Sequence, residues 1–441
     1  MRQPLTIIAA LAASGLFTPV LTADTFTVCA SDCDYTSIQA AIDAAANGDV
    51  IFLTDEVYEE GAEIDMRGKA ITLKGQHLAP NIAYTKIKGD HSHRLIACRS
   101  GETSATVLQD LKFTGGLGEG DGGGGLLIEG SSPTINNCVF QNNKIDALMY
   151  GGGVLVSGGA PHFISPSFES NGPLVGGQTL LITGGGMAIL DGNVTIEGPY
   201  VTANHAHIGG GLWVGSDATA HISVFNSTDG GTRMVQIFDN MAYGMDTKVY
   251  SGQGAGGAIA NFGNLTIDGT APPEKLGGDI GGAIYGNTAS ASDEVGGQGG
   301  GIYQAGTSLI VKNTNFTTNG ATVTPFNVNG SGGAIYAATS IDTLVKVICD
   351  RNFPNGIGGP QGHGVGLRGQ PPVVALDSCT IHGNGDDETD QQINGVLVMH
   401  LGDNHISKHA PPSGCPSDLN GDGLVDAADL GLLIAAWGLC P

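Results

Sequence analysis

Between Asp418 and Asp429, oxygen-bearing side chains stand at the first, third, fifth, ninth and twelfth places of a twelve-residue run: Asp418, Asn420, Asp422, Asp426 and Asp429. Gly423 at the sixth place permits a sharp turn, and Leu424 at the seventh offers its backbone carbonyl. Hard divalent cations need such a cage of oxygens, so the spacing predicts a calcium site built from these residues. Leu430, Leu433, Ile434 and Trp437 then recur at helical spacing, which predicts an apolar-faced helix behind the loop, and Cys415 and Cys440 bracket the whole segment.

Other chemistry-bearing patterns are sparser. His91-x-His93 and His205-x-His207 each place two imidazoles on one strand face, but without a third ligand they are expected to be ordinary surface pairs. Arg94, Arg233, Arg351 and Arg368 are the basic groups available to take a proton next to a uronate, yet no motif surrounds them. Gly362-His363-Gly364 has the GHG form found in polygalacturonases, but Asp386-Asp387 follow it instead of preceding it, and the match is read as coincidence. No catalytic residue is assigned.

The elements that must carry these groups are marked by two repeats. The first is a glycine pair or triplet before an apolar residue, ending at Gly125-Leu126, Gly153-Val154, Gly186-Met187, Gly211-Leu212, Gly257-Ala258, Gly282-Ala283, Gly301-Ile302 and Gly333-Ala334. The second is an apolar residue with Asn three places on: Phe140/Asn143, Phe168/Asn171, Val201/Asn204, Ile237/Asn240, Ile284/Asn287, Phe316/Asn319 and Ile381/Asn384. Repetition every 20 to 45 residues or so signals a solenoid, in which each repeat buries its apolar face only against its neighbours. Between the repeats lie short alternating strands such as Val194-Thr195-Ile196-Glu197, Leu265-Thr266-Ile267-Asp268 and Leu309-Ile310-Val311-Lys312. The expected fold is all-β: a right-handed single-stranded parallel β-helix of roughly eleven to fourteen coils, near 55 to 65 Å long at about 4.8 Å per coil. The repeated asparagines are assigned the left-handed corners between strands and a hydrogen-bonded ladder from coil to coil.

Thr36-Ser37-Ile38-Gln39 fits a capping box, and Ile38, Ala41, Ile42 and Ala45 share a helical face, which predicts an N-terminal capping helix over the end of the core. Met241 to Gly254, Thr288 to Gly297, Ala321 to Asn329 and Asn352 to Gln370 interrupt the pattern and are expected to project as loops. The sequons at Asn193 and Asn264 are read as strand and turn residues.

The chain has 42 acidic against 18 basic residues, a net charge of −24, which repels nucleic acid and anionic lipid. Residues 1–23 have the layout of a secretory signal peptide, and no later stretch is apolar enough for a membrane span. The expected organisation is a signal peptide over 1–23, a β-helix over 24–407, a linker over 408–414 and a calcium-loop/helix module over 415–441, in a secreted or cell-surface protein. Export permits disulfides, and Cys29 and Cys33 are close enough to pair. Cys138 and Cys379 share a register with Thr314, which predicts inward, stacked thiols rather than a reactive site.

Three resemblances add to this reading. The helix-then-strand opening resembles the start of pectate-lyase-like β-helix proteins. Gly256-Gly257-Ala258-Ile259, Gly281-Gly282-Ala283-Ile284 and Gly332-Gly333-Ala334-Ile335, with the Phe/Asn pairs, resemble the GGAI and FxxN repeats of the polymorphic membrane proteins, β-helical surface adhesins. Their C-terminal membrane barrel is not expected from this sequence. Residues 415–441 resemble one dockerin type I repeat, where dockerins typically carry two, and also resemble single-repeat, cysteine-flanked modules that anchor or sort exported proteins. The resemblances imply an adhesin-like rod that binds an extracellular polysaccharide or cell-surface component, with calcium as cofactor and a cohesin-like or envelope anchoring partner. The alternative is an extracellular polysaccharide lyase or glycoside hydrolase.

Overall fold

The computed structural model describes residues 23–407 apart from 77–84, 119, 147–149, 175–180, 228–230, 248–249, 253, 271–279, 292–296, 324–330, 354–355, 359–371, 383, 385–391 and 395. The expected signal peptide up to residue 22, the linker, and the calcium-loop/helix module with Cys415 and Cys440 lie outside the described residues. No helix among the described residues is long and apolar enough to cross a membrane.

The fold is a parallel β-helix. One wall is a sheet of twelve strands, from Val57–Tyr58 to His405–Ser407. A 22-stranded sheet forms two further walls, joined where Met187–Glu197 and Leu212–Ser223 run unbroken through both. Short strands such as Lys144–Ile145 and His205–Ala206 add a narrow fourth side. The twelve rungs, at about 4.8 Å each, span roughly 53 Å.

Period-two alternation sends one side chain of each pair inward, and equal registers stack like on like. On the twelve-stranded wall Phe113, Phe140 and Phe168 lie in one column, their rings stacked at 5.1 and 5.5 Å. Val201, Ile237, Ile284, Phe316, Cys349 and Ile381 continue it, so one apolar column serves the whole rod. Cys138, Thr314 and Cys379 occupy the neighbouring inward column and are buried, as their register predicts. Burial pushes the Cys138 thiol up to about 12, away from thiolate chemistry. Cys29 and Cys33 are disulfide-bonded.

The glycine repeat forms a corner. Gly151 takes φ +65°, and a Cβ on the next residue, Gly152, would sit 2.5 Å from the Gly185 carbonyl of the following coil, so only glycine lets the coils close here. One member of the predicted set lies elsewhere. Gly282 pairs with Val235 and Thr314 in the twelve-stranded wall, where a Cβ would meet the Thr314 hydroxyl at 2.6 Å. The same GGAI letters thus serve a strand in that coil, because Ile284 is the apolar member of its Asn repeat.

The asparagines form the predicted ladder, but not the predicted turn. Asn143, Asn171, Asn204, Asn240, Asn287, Asn319, Asn352 and Asn384 are buried in one file. Each Oδ1 after the first accepts both the backbone N–H and the Nδ2–H of the asparagine one coil earlier, as in Asn204 to Asn240 at 3.1 and 2.9 Å. Gln392 ends the file by accepting from Asn384 in the same way. The left-handed corner falls on the preceding residue instead: Asn142, Ser170, Ala203, Asp239, Gly286, Thr318 and Arg351 all have φ between 52° and 65°. The reversal one residue earlier aims the asparagine amide along the rod axis, where the next coil can use it.

Helix Ile38–Ala44 buries Ile38, Ala41 and Ile42 against the first coils, and Ala45 just beyond it is buried too. Ser37 caps it by accepting from Ala40 N–H. The reciprocal partner of the expected box is not local. Glu60, from the next coil, accepts from Ile38 N–H at 2.6 Å and from the Ser37 hydroxyl at 2.9 Å.

Three predicted loops begin as strands. Met241–Tyr243, Thr288–Ala291 and Gly320–Val323 pair in register on the narrow side, because the residues just past each ladder asparagine still stack. Asn193 and Asn264 lie in strands.

Candidate functional site

Those residues singled out in sequence that are described do not converge. Asp418, Asn420, Asp422, Leu424, Asp426 and Asp429 lie outside the described residues, as do Gly362-His363-Gly364, Arg368 and Asp386-Asp387. Arg94 is buried and structural: its guanidinium donates to the Gly122 and Gly123 carbonyls and pairs with Glu63 at 2.7 Å. Arg351 is exposed and paired with Asp350 at 2.9 Å. His91 sits in a turn and His93 leans on the Ser92 hydroxyl at 2.9 Å. His205 and His207 do not share ligand duty, since His207 is buried with Nδ1 accepting the Ile182 N–H at 3.0 Å. Among the described residues no three His, Cys, Asp or Glu side chains gather as a metal site.

What the rod does present is on its outer walls. Two aromatic rows run across coils. Tyr150, Trp213, Phe262, Tyr303 and Tyr336 follow one another at 5.5 to 6.1 Å on the glycine-corner wall. Tyr150 and Trp213 pack there against the buried Leu127, Leu155 and Ala188, so that end of the row belongs to a small second core. The other row, on the twelve-stranded wall, faces out. Tyr200 meets Phe238 edge-on at 5.1 Å, and Phe238 stacks on Tyr285 at 4.8 Å. Tyr200 is 37% exposed.

A hairpin absent from the sequence reading overhangs this second row. Phe225–Asn226 pairs antiparallel with Thr232–Arg233, and a cleft of about 350 Å³ opens between Tyr200, Gln236, Thr232, Arg233 and Met234. The base of the hairpin packs on the corner at Gly198 in the preceding coil, where a Cβ would touch both Phe225 and Arg233 at 2.8 Å. Arg233, one of the four predicted basic residues, is exposed at the mouth.

A second concavity lies around the corner, one residue past the asparagine ladder. Lys144, Gly172, His205 and Met241 stand in successive coils there, and Pro173 and Tyr243 complete a recess of about 400 Å³. Lys144 donates to the Ser170 carbonyl at 3.2 Å, and burial holds its ammonium below the usual lysine value. Burial, and then the charge of Lys144, lower His205 as well. Tyr243 packs on His207 with ring centroids 4.7 Å apart, and its hydroxyl is buried without a partner. Among the described residues neither concavity is lined by a carboxylate.

Lys144 was legible in principle. It directly follows Asn143, as Gly172 follows Asn171 and His205 follows Asn204, so the repeat that sets the ladder also sets this outward column. Its residue types vary from coil to coil, which is why a search for repeated letters passes over it. Compared with protein-family models, with curated proteins and with solved structures, the chain finds no match.

Proposed function

We propose that this is an exported, surface-associated rod that binds an extracellular polysaccharide along its outer wall, as the resemblance to β-helical adhesins implies. The observation that carries the reading is the outward row Tyr200, Phe238 and Tyr285 beside Arg233 and Gln236. Tyrosine offers a broad, rigid, amphipathic contact at small entropic cost, and arginine and an amide give directed hydrogen bonds to hydroxyls. Rings from neighbouring coils recur at about 5 Å, close to the length of one sugar unit, so an extended glycan can meet several at once. The dockerin-like residues 415–441 supply a calcium-ordered anchoring or docking repeat in this reading, with Asp418, Asn420, Asp422, Leu424, Asp426 and Asp429 as ligands.

The two-carboxylate chemistry of most glycoside hydrolases finds no support in the described lining of either concavity. A polysaccharide lyase is the second reading, favoured by one observation: a partly desolvated lysine beside a histidine in the corner recess. One experiment separates these. The full chain is passed over immobilised acidic and neutral polysaccharides with and without calcium, scoring retention and the release of reducing or unsaturated ends. Retention without release, weakened about tenfold by Tyr200→Ala with Tyr285→Ala, is the expected result. Release of unsaturated ends would replace it with the lyase, and no retention on any polysaccharide would remove both.

A further inference from the structure

The corner recess has the makings of a separate ligand site. Gly172 stands between Lys144 and His205 without a side chain, where a Cβ would meet the His205 carbonyl at 2.5 Å, so the two coils close up there and Met241, Tyr243 and Pro173 wall the recess beside them. The volume, about 400 Å³, falls within the range of roughly 300 to 1,000 Å³ usual for small-molecule sites.

Its electrostatics run against the rest of the molecule. The chain carries a net charge of −24, yet the ionisable groups lining the recess among the described residues are a lysine, a histidine and a tyrosine, with no Asp or Glu. The Lys144 ammonium has three donors and gives one to Ser170. The long-range field repels anions, so only a ligand held by direct contact would stay.

A second, independent observation concerns Tyr243. Its hydroxyl is buried with no partner, and native structures seldom leave such a group without a reason. His207 does not supply one: its Nδ1 already accepts from Ile182, and its ring contacts the tyrosine ring. An acceptor brought in by a ligand would satisfy the hydroxyl once the ring turns toward the recess.

We infer that the recess binds one carboxylate on a ring-sized body, with Lys144 as its charge partner, Tyr243 and His205 as hydrogen-bond partners, and Met241 and Pro173 against the ring. The carboxylate has two sources, a uronate unit within a polysaccharide or a free cyclic acid. The site lies on a different side of the rod from Tyr200 and Tyr285 and does not depend on them.

Calorimetric titration of the full chain with tri-galacturonate, with galactotriose and with benzoate tests this. One site is expected for at least one acid and none for the neutral trisaccharide. Tri-galacturonate alone binding assigns the polysaccharide source, and benzoate binding assigns the free acid. Lys144→Gln is expected to weaken the bound acid at least about tenfold, and Tyr243→Phe, which keeps the ring on His207, about threefold or more. Tyr200→Ala is expected to leave this binding unchanged while reducing retention on polysaccharide, which tells the two sites apart. No saturable binding of either acid, or affinity unchanged in both Lys144→Gln and Tyr243→Phe, would overturn the inference.

Discussion

Two files of residues run side by side at one corner of the rod and differ in every respect but register. The inner file is asparagine in eight successive coils, buried, with each amide held by the next. The outer file, one residue later, reads Lys144, Gly172, His205, Met241, Thr288, Gly320 and Phe353. The inner positions share a task that depends on their neighbours being identical, since an amide can extend the file only if another amide receives it. The outer positions face solvent and are free to differ. In a solenoid, therefore, sameness along a column marks what holds the coils together, and variation along a column marks where recognition can be written.

The strongest way to break this contrast is to alter adjacent members of the two files. Asn240→Ala removes the acceptor for the Asn204 N–H and Nδ2 and the donor that reaches the Val201 and Phe238 carbonyls. Several buried groups lose partners at about 1 to 3 kcal/mol each, so a total near 3 to 5 kcal/mol is expected. Met241→Ala, at a side chain 36% exposed, is expected to cost less than about 1 kcal/mol. Urea unfolding of both variants checks the pair. Equal losses would mean that the outer file is structural after all.

Much of this corner was readable from sequence, and what was not has a physical reason. The apolar-x-x-Asn spacing translates directly into an inward apolar residue and an inward amide, because alternation and register leave little choice. The left-handed residue before the amide is hidden. Asn142, Ser170, Ala203, Thr318 and Arg351 share no preference that a reader could recognise, and the conformation is imposed by the stack rather than by the residue. The hairpin ending in Arg233 was missed because four paired residues leave almost no periodicity. In the helix, the local signal marked the start but set the cap on Thr36, one residue before the observed Ser37, and was silent about Glu60, which belongs to another coil. The run from Asp418 to Asp429 is the reverse case: its letters spell an expected calcium loop, and it lies outside the described residues.

A smaller effect sharpens the same inside-outside contrast with two histidines. His205 faces the recess, whereas His207 is buried and must keep Nδ1 free to accept from Ile182. Burial lowers His207 to about 4, against about 6.5 in the unfolded chain. Between those values the unfolded chain binds more protons, so this contribution is intact above about pH 6.5 and is lost as pH falls toward 4. Its size is on the order of 2 kcal/mol once solvent screening is allowed for. His207→Gln keeps an acceptor without the titration. Its stability, followed by urea midpoints from pH 7.5 to 4.5, is expected to fall less steeply than that of the parent, and parallel slopes would show that His207 is not the group responsible.

The smallest expected change tests the third file at this corner, the one that bends. Thr318 is exposed and β-branched, yet it is held at φ +56° so that Asn319 can face inward. A left-handed backbone costs an ordinary residue about 1 to 2 kcal/mol, and glycine avoids that while losing about 0.5 to 1 kcal/mol of unfolded-chain entropy. Thr318→Gly is therefore expected to stabilise the rod by roughly 0.5 to 1 kcal/mol. Gly286 already occupies the equivalent place one coil earlier at φ +65°, so the stack accepts the exchange. The same substitution at Asn142 should gain less, because a short amide side chain tolerates this region. A raised unfolding midpoint for Thr318→Gly, larger than that for Asn142→Gly, would show that the ladder imposes the bend on whatever residue precedes it. A destabilised Thr318→Gly would mean instead that the threonine side chain contributes more to the corner than its exposure suggests.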